Sequence, residues 1–148
     1  MLSRRVTATL TFVLGFAVAA VAFDEDNGLH RAMESLKKHM KPLSQSIGDA
    51  AKNDETLKHL MDMQALTLES KTFDPPTAKD LKGEELAKHV NDYQADMTKL
   101  LVELATMELE VRAGDNAAAQ ARVKAGLVKM REDGHDKFQG EEEDERRK

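Results

Sequence analysis

The amino-acid sequence predicts an all-α protein folded as an antiparallel up-down-up-down four-helix bundle. The chain is rich in strong helix formers and contains one tyrosine and no tryptophan. Its apolar residues recur at alternating spacings of three and four, and no segment shows the two-residue alternation of a strand. Turn-forming residues divide this pattern into four stretches with mostly short connections, which pack best side by side. Three helices with a loose arm are the alternative arrangement.

The first predicted helix spans about residues 25–47. Pro42 lies inside this stretch and removes one intrahelical hydrogen bond, so we expect a kink there. Gly48 and Asp49 end the helix. Six apolar residues form one stripe along it: Leu29, Met33, Leu36, Met40, Leu43 and Ile47.

The second predicted helix follows closely, with Asn53 as its N-cap and acidic residues in its first turn. The helix is predicted to end near Lys71. Pro75 and Pro76 then fix the backbone and prevent a helix, which makes this segment the long connection of the fold. The residues expected on the apolar face are Leu57, Leu60, Met61, Ala65 and Leu68.

The third and fourth helices complete the predicted bundle. The third runs from about Gly83 to Arg112, and Gly114 follows it in the position of a C-terminal cap. The fourth begins near residue 115 or 116 and reaches about Phe138 through an alanine-rich stretch. The stripe of the third helix is the most regular in the chain: Leu86, Val90, Tyr93, Met97, Leu100, Leu104, Met107 and Val111.

The two ends of the chain differ from the predicted bundle. Residues 1–22 combine a basic start, a short apolar run and the small residues Ala20, Val21 and Ala22, which predicts a secretory signal peptide cleaved before Phe23. A membrane anchor is the alternative, but the apolar run is shorter than the roughly 20 residues that a bilayer requires. The bundle domain is predicted to span residues 23–140, and residues 141–148 form a charged, solvated tail.

Composition excludes several kinds of chemistry. The formal charge is −5, and it becomes −7 once residues 1–22, which hold two arginines and no acidic residue, are removed. This acidic balance argues against nucleic acid as a partner. The absence of cysteine excludes a thiol nucleophile, a cysteine zinc site and covalent attachment of c-type haem. Any haem would therefore be held non-covalently.

One pair of side chains stands out as a possible metal site. The start of the first helix and the end of the fourth lie at the same end of such a bundle. Met33 is about 12 Å along the first helix at 1.5 Å per residue, and His135 is near the end of the fourth. A thioether and an imidazole can therefore face each other there, as in electron-transfer cytochromes. Ordinary core packing of both residues is the alternative.

These segments resemble the cytochrome b562 family over nearly the whole predicted mature chain. Met33-Glu34-Ser35-Leu36, with Met40 and Leu43 after it, is similar to the family's first helix. The stretch from Leu60-Met61-Asp62-Met63 to Pro75-Pro76 looks like its second helix and proline turn. Arg131 and His135, four residues apart, match its ligand region.

The resemblance implies a function and a set of site residues. Met33 and His135 would be the axial ligands of one haem b, and Arg131 would be its neighbour. Tyr93 and Met97 would pack on the porphyrin face, and Pro75 and Pro76 would border the pocket. The protein would then be a periplasmic electron carrier and not an enzyme. It would be a monomer with an unidentified redox partner protein, without nucleic acid, and off the membrane after signal cleavage.

Two other functions fit the sequence. A haem-free exported bundle could bind copper, because thioether and imidazole groups suit both oxidation states of that metal. The candidate copper ligands are Met33, Met40, His30, His39 and the run His59-Leu60-Met61-Asp62-Met63, in which Met61 is expected in the core and Met63 beside it. A haem-free interaction or stress-response protein is the other possibility, and only the charged exterior supports it.

Overall fold

The computed structural model describes residues 25–139, and their side chains from Gly28 onwards. The predicted signal peptide, residues 1–22, and the charged tail, residues 141–148, lie outside the described residues. The helices are α1 (Glu25–Ser46), α2 (Asn53–Ser70), α3 (Gly83–Arg112), α4 (Asn116–Arg122) and α5 (Val128–Phe138). A π-helical turn, Val123–Leu127, joins α4 to α5, so that the three form one continuous fourth rod.

The helices pack as the predicted antiparallel four-helix bundle. Close backbone contacts join α1 to α2, α2 to α3, and α3 to both α4 and α5. Within the described residues, α1 and α5 do not form such a close pair, which leaves a wider seam between them. Residues 25–139 contain no strand, and none of their helices is long and apolar enough to cross a membrane. The fold class predicted from the helical spacing is confirmed.

The core is divided into two clusters along the bundle. The larger cluster includes Leu43, Ile47, Leu60, Leu104 and Met107, each with an exposed fraction of zero. A smaller cluster of Leu29, Tyr93 and Phe138 lies at the other end. Met33 packs against both clusters and therefore lies between them. The predicted stripes of α1 and α3 supply most of these residues.

The predicted apolar face of α2 is partly wrong. Met61 and Leu68 are 53% and 52% exposed, whereas Met63 is buried. Polar residues share the buried face, because their hydroxyl groups donate to backbone carbonyls. Thr67 donates to the Met63 carbonyl at 2.7 Å, and Ser70 donates to the Leu66 carbonyl at 2.8 Å. Hydropathy alone cannot detect a hydroxyl satisfied within its own helix.

The prediction for the start of α2 is also wrong. Asp49 caps a short 3₁₀ turn, Ala50–Lys52, by accepting from the Ala51 amide, and α2 begins at Asn53 itself. The Asn53 side chain instead takes part in a contact between helix ends. Buried Asn116 donates to the Ile47 carbonyl at 2.8 Å and to Asn53 Oδ1 at 2.7 Å.

The fourth rod contains a π turn that the sequence pattern does not predict. At this turn a Cβ on Gly126 would lie 2.9 Å from Glu103 Oε1, so α3 approaches the rod closely. Arg122 pairs with Glu103 at 3.2 Å and with Glu110 at 2.7 Å. Glycine permits the close approach, and the ion pairs hold α3 against the turn.

Glycine and proline positions match their predicted roles in part. Gly114 follows α3 with φ +81°, the left-handed conformation expected after a helix end. Helix α1 continues through Pro42 to Ser46, and the bend expected at Pro42 remains a prediction.

Candidate functional site

A cavity of about 880 Å³ opens along the seam between α1 and α5. Its walls come from α1, α3, the π turn and α5, with Met63 of α2 on its inner side. The volume is in the range of cavities that hold small organic molecules and cofactors. The wide spacing of α1 and α5 is therefore the feature that provides room for a bound group.

Met33 and His135 both line this cavity. Met33 is half-buried on α1, in the third turn after its start at Glu25. His135 is half-buried on α5, one turn before the helix ends at Phe138, and its carbonyl accepts from the Gln139 amide at 3.0 Å. The structure places the two residues on facing helices at one end of the bundle.

The inner wall is apolar and rich in sulfur. Five methionines line the cavity, and their flexible, polarizable side chains adapt to the shape of a bound group. Met97 also packs against the cluster of Leu29, Tyr93 and Phe138. The five are Met33, Met40, Met63, Met97 and Met130.

Aromatic rings close the end of the cavity. Tyr93 and Phe138 pack edge-to-face with their ring centroids 5.3 Å apart. The Tyr93 hydroxyl donates to the Ser70 carbonyl at 2.9 Å, and burial raises the pKa of Tyr93 well above its usual value. Tyr93 is thus a fixed wall residue.

Phe138 was missed as a cavity residue by the sequence reasoning. The signal was available, because Leu127, Met130, Gly134 and Phe138 continue one face of the fourth rod at spacings of 3, 4 and 4. All four line the cavity.

Charged residues surround the mouth of the cavity. Asp96 pairs with Lys99 at 2.6 Å and with Lys137 at 3.1 Å, and the second pair joins α3 to α5. Hydrogen bonds from Lys99 and then Lys137 hold the pKa of Asp96 below its usual value. Arg131, which is exposed on the rim, forms no ion pair with the residues that the structure describes. The rim thus offers a guanidinium for an anionic group on a ligand.

Gly134 leaves open space beside His135. A Cβ built on Gly134 would meet no atom within 4 Å, although the residue lies inside α5 and lines the cavity. Because Gly134 has no side chain, the surface of α5 next to the His135 imidazole leaves room in the cavity. The space fits a bound group that approaches the α5 backbone.

The two predicted prolines are placed differently. Pro76 lines the cavity, whereas Pro75 is fully buried and does not. Pro75 instead accepts from the Ala78 amide at 2.8 Å and thereby holds the short turn Pro76–Ala78. Of the two prolines expected to border the pocket, only Pro76 lines the cavity, because the Pro75 ring is buried away from it.

The other histidines fall into separate places. His30 lines the cavity near Met33. His89 lies outside it and forms a 2.7 Å hydrogen bond with Thr77 Oγ1. His39 and His59 contact each other across α1 and α2, and neither lines the cavity. Among the residues that the structure describes, no group of three or more histidine, aspartate or glutamate side chains could hold a metal ion.

Fold and site together define a class: small four-helix bundles with a cofactor-sized cavity near one end. Comparison with protein-family models matches residues 28–139 to Cytochrome b562, and the chain belongs to this family. Its members are b-type cytochromes with non-covalently bound haem, and they act as electron carriers. Comparisons with curated proteins and with solved structures gave no match. The resemblance predicted from the sequence is thus confirmed at the level of the family.

The residues present fit a haem group. The cavity offers the Met33 thioether and the His135 imidazole from facing helices, and these are the two ligand types that cytochromes of this kind use. Apolar side chains and the open space at Gly134 suit the porphyrin plane, and Arg131 suits a propionate. The two donor types and the apolar side chains of the cavity both suit haem.

Proposed function

We propose that this protein is an exported b-type cytochrome that carries single electrons with one haem held by Met33 and His135. The observation that carries the proposal is that both residues line the same cavity from facing helices. A haem iron held by both residues would exchange electrons without binding a substrate, and the thioether of Met33 would raise its reduction potential. This reading makes the protein an electron carrier without catalytic turnover.

The surrounding side chains position the two ligands. Met33 is held between the two core clusters, and α5 is fastened to α3 by the pair of Lys137 with Asp96. Lys137 lies two residues after His135, so this ion pair limits rotation and displacement of the helix end that carries the imidazole. The fixed backbone at His135 lowers the reorganisation that accompanies a change of charge at the site.

The apolar wall controls access of water. Tyr93, Met97 and Phe138 form one side of the cavity, and the Tyr93 hydroxyl is turned to the Ser70 carbonyl. A dry environment at one end of the bundle strengthens the electrostatic effect of nearby charges. At the rim, Arg131 would hold a propionate carboxylate as a charge-assisted hydrogen bond.

The net charge indicates the kind of redox partner. The chain carries a formal charge of −5, so we propose a partner with a basic docking surface. The signal-like residues 1–22 support transfer to the periplasm, where known members of the family are found. The protein itself is proposed to be a monomer in this compartment.

Absorption spectroscopy tests the proposal directly. Haemin is added to the purified protein, and spectra are recorded in the oxidised and reduced states. We expect sharp reduced α and β bands, because two strong axial ligands give low-spin iron. Met33→Ala and His135→Ala should each abolish these low-spin bands while leaving the far-UV circular dichroism of the bundle intact.

A matched control uses another methionine and another histidine. Met61→Ala removes an exposed thioether on α2, and His89→Ala removes an imidazole outside the cavity. Both variants should keep the low-spin spectrum. The proposal is wrong if wild-type protein with intact helicity gives only the broad spectrum of free haemin, or if the His135 variant keeps the full spectrum.

A further inference from the structure

Two histidines face each other on the side of the bundle formed by α1 and α2. His39 Nδ1 and His59 Nδ1 are 3.0 Å apart, and the rings meet edge-on with their centroids 5.2 Å apart. The His59 side chain is 19% exposed, so the pair is partly shielded but open to water. His39 belongs to α1 and His59 to α2. Both helices contribute residues to the larger core cluster, which holds them in a fixed position relative to each other.

We propose that His39 and His59 form a second metal site, which binds a divalent transition-metal ion such as Cu²⁺ or Ni²⁺. An ion about 2.0–2.1 Å from each nitrogen, with the nitrogens held 3.0 Å apart, subtends an angle of roughly 91–97°. This angle suits the square-planar or tetragonal sites of Cu²⁺ and Ni²⁺. Tetrahedral Zn²⁺ would need the two nitrogens about 3.3 Å apart, so the spacing disfavours it.

Glu55 is the acidic residue close to the outer nitrogen of His59, at an ion-pair distance that is longer than a hydrogen bond. Its carboxylate Oε1 lies 3.8 Å from His59 Nε2, on the side of the ring opposite to His39. Carboxylates in this position favour a proton on the outer nitrogen and leave the inner nitrogen free to bind metal. We therefore place the His59 proton on Nε2 and its lone pair on Nδ1, which accepts the hydrogen bond from His39 Nδ1 in the metal-free protein. Metal binding requires His39 Nδ1 to release that proton, so that both Nδ1 lone pairs bind the ion. Glu55 is a positioning residue and not a ligand.

The site is distinct from the haem cavity. Neither His39, His59 nor Glu55 lines that cavity. Along α1, His39 is six residues from Met33, which is about 9 Å at the helical rise. Because no third histidine or carboxylate joins the pair within residues 25–139, water or a small chelator completes the coordination. Such a two-ligand site is open and exchangeable.

Titration with Cu²⁺ tests this site in the haem-loaded protein, in which the haem ligands are already occupied. We expect one ion per chain and an electron paramagnetic resonance spectrum with hyperfine structure from two nitrogens. His39→Ala and His59→Ala should each remove this spectrum and leave the haem bands unchanged. Glu55→Gln should weaken binding by up to about tenfold, the lower end of the effect of an outer carboxylate, because Glu55 is exposed.

His89→Ala is the matched control, since His89 lies outside both sites and its loss should not alter copper binding. A second measurement uses only the wild-type protein, so its result does not depend on whether the variants fold. Substoichiometric Cu²⁺ should broaden the imidazole nuclear magnetic resonance signals of His39 and His59 before those of His89. Equal broadening of all histidine signals would show that the pair is only a hydrogen bond between helices. Unchanged Cu²⁺ binding by a protein that carries both His39→Ala and His59→Ala would show the same.

Discussion

Glycine at position 134 illustrates how one missing side chain serves the site. Gly134 lies inside α5, where glycine is less stable than alanine by about 1 kcal/mol. A Cβ there would meet nothing within 4 Å, so packing does not require glycine. The residue borders the cavity next to His135, so its small size leaves room there for the proposed haem.

Gly134→Ala is expected to raise the free energy of unfolding of the haem-free protein by about 1 kcal/mol, because alanine favours the helix and finds open space. Urea unfolding followed by circular dichroism measures the change. Gly126→Ala is the matched control, since its Cβ would lie 2.9 Å from Glu103 Oε1 and should give no gain. A gain in stability accompanied by weaker haem binding would show that the porphyrin uses the space at Gly134.

At the scale of elements, the end of the bundle opposite the cavity is joined by a polar contact between helix ends. The cavity occupies one end, between α1, α3 and α5. The other end is joined by Asn116, whose amide donates to Ile47 at the end of α1 and to Asn53 at the start of α2. Helix ends carry unpaired backbone carbonyls, and this side chain satisfies one of them in the core.

Asn116→Ala is expected to lower the free energy of unfolding by about 1–3 kcal/mol, because the buried Ile47 carbonyl loses its donor. Denaturant unfolding checks the value. Asn91→Ala, an exposed position on α3, should change stability far less. Haem absorption should remain unchanged in both variants, and a lost low-spin spectrum in the Asn116 variant would contradict the separation of the two ends.

At the scale of the whole molecule, ion pairs at the mouth of the cavity make the free energy of unfolding depend on pH in the acid range. Asp96 on α3 pairs with Lys137 on α5 and with Lys99 on its own helix. These hydrogen bonds hold its pKa below the usual value of 3.8. A lowered carboxylate pKa contributes stability above the unfolded-state value, and the contribution is lost as the pH falls through the folded-state value.

Asp96→Asn is therefore expected to be less stable than wild type at neutral pH, by up to about 1 kcal/mol for a partly exposed pair. The difference should shrink as the pH falls below the usual range of an aspartate. Urea unfolding at pH 7 and pH 3 measures it. Asp92→Asn, which removes only the exposed pair with Lys88 on the same helix, should show a smaller effect. A constant difference at both pH values would contradict the assignment.

The sequence by itself determined the bundle and the end of it at which Met33 and His135 lie. Spacings of three and four put Leu29, Leu36, Leu43 and Ile47 on one buried face, because a helix brings such positions together whatever it packs against. The same logic brought Met33 and His135 to one end, since four antiparallel helices place the first start beside the last end.

Only the tertiary structure decided the remaining features. It buried Met63 and exposed Met61 on α2, because hydroxyls satisfied within the helix could share the core face. It placed Pro76 in the cavity wall and Pro75 outside it. It also brought His39 of α1 into contact with His59 of α2. Helical periodicity records which residues share a face of one helix, whereas contacts between helices depend on the rotation and spacing that packing sets.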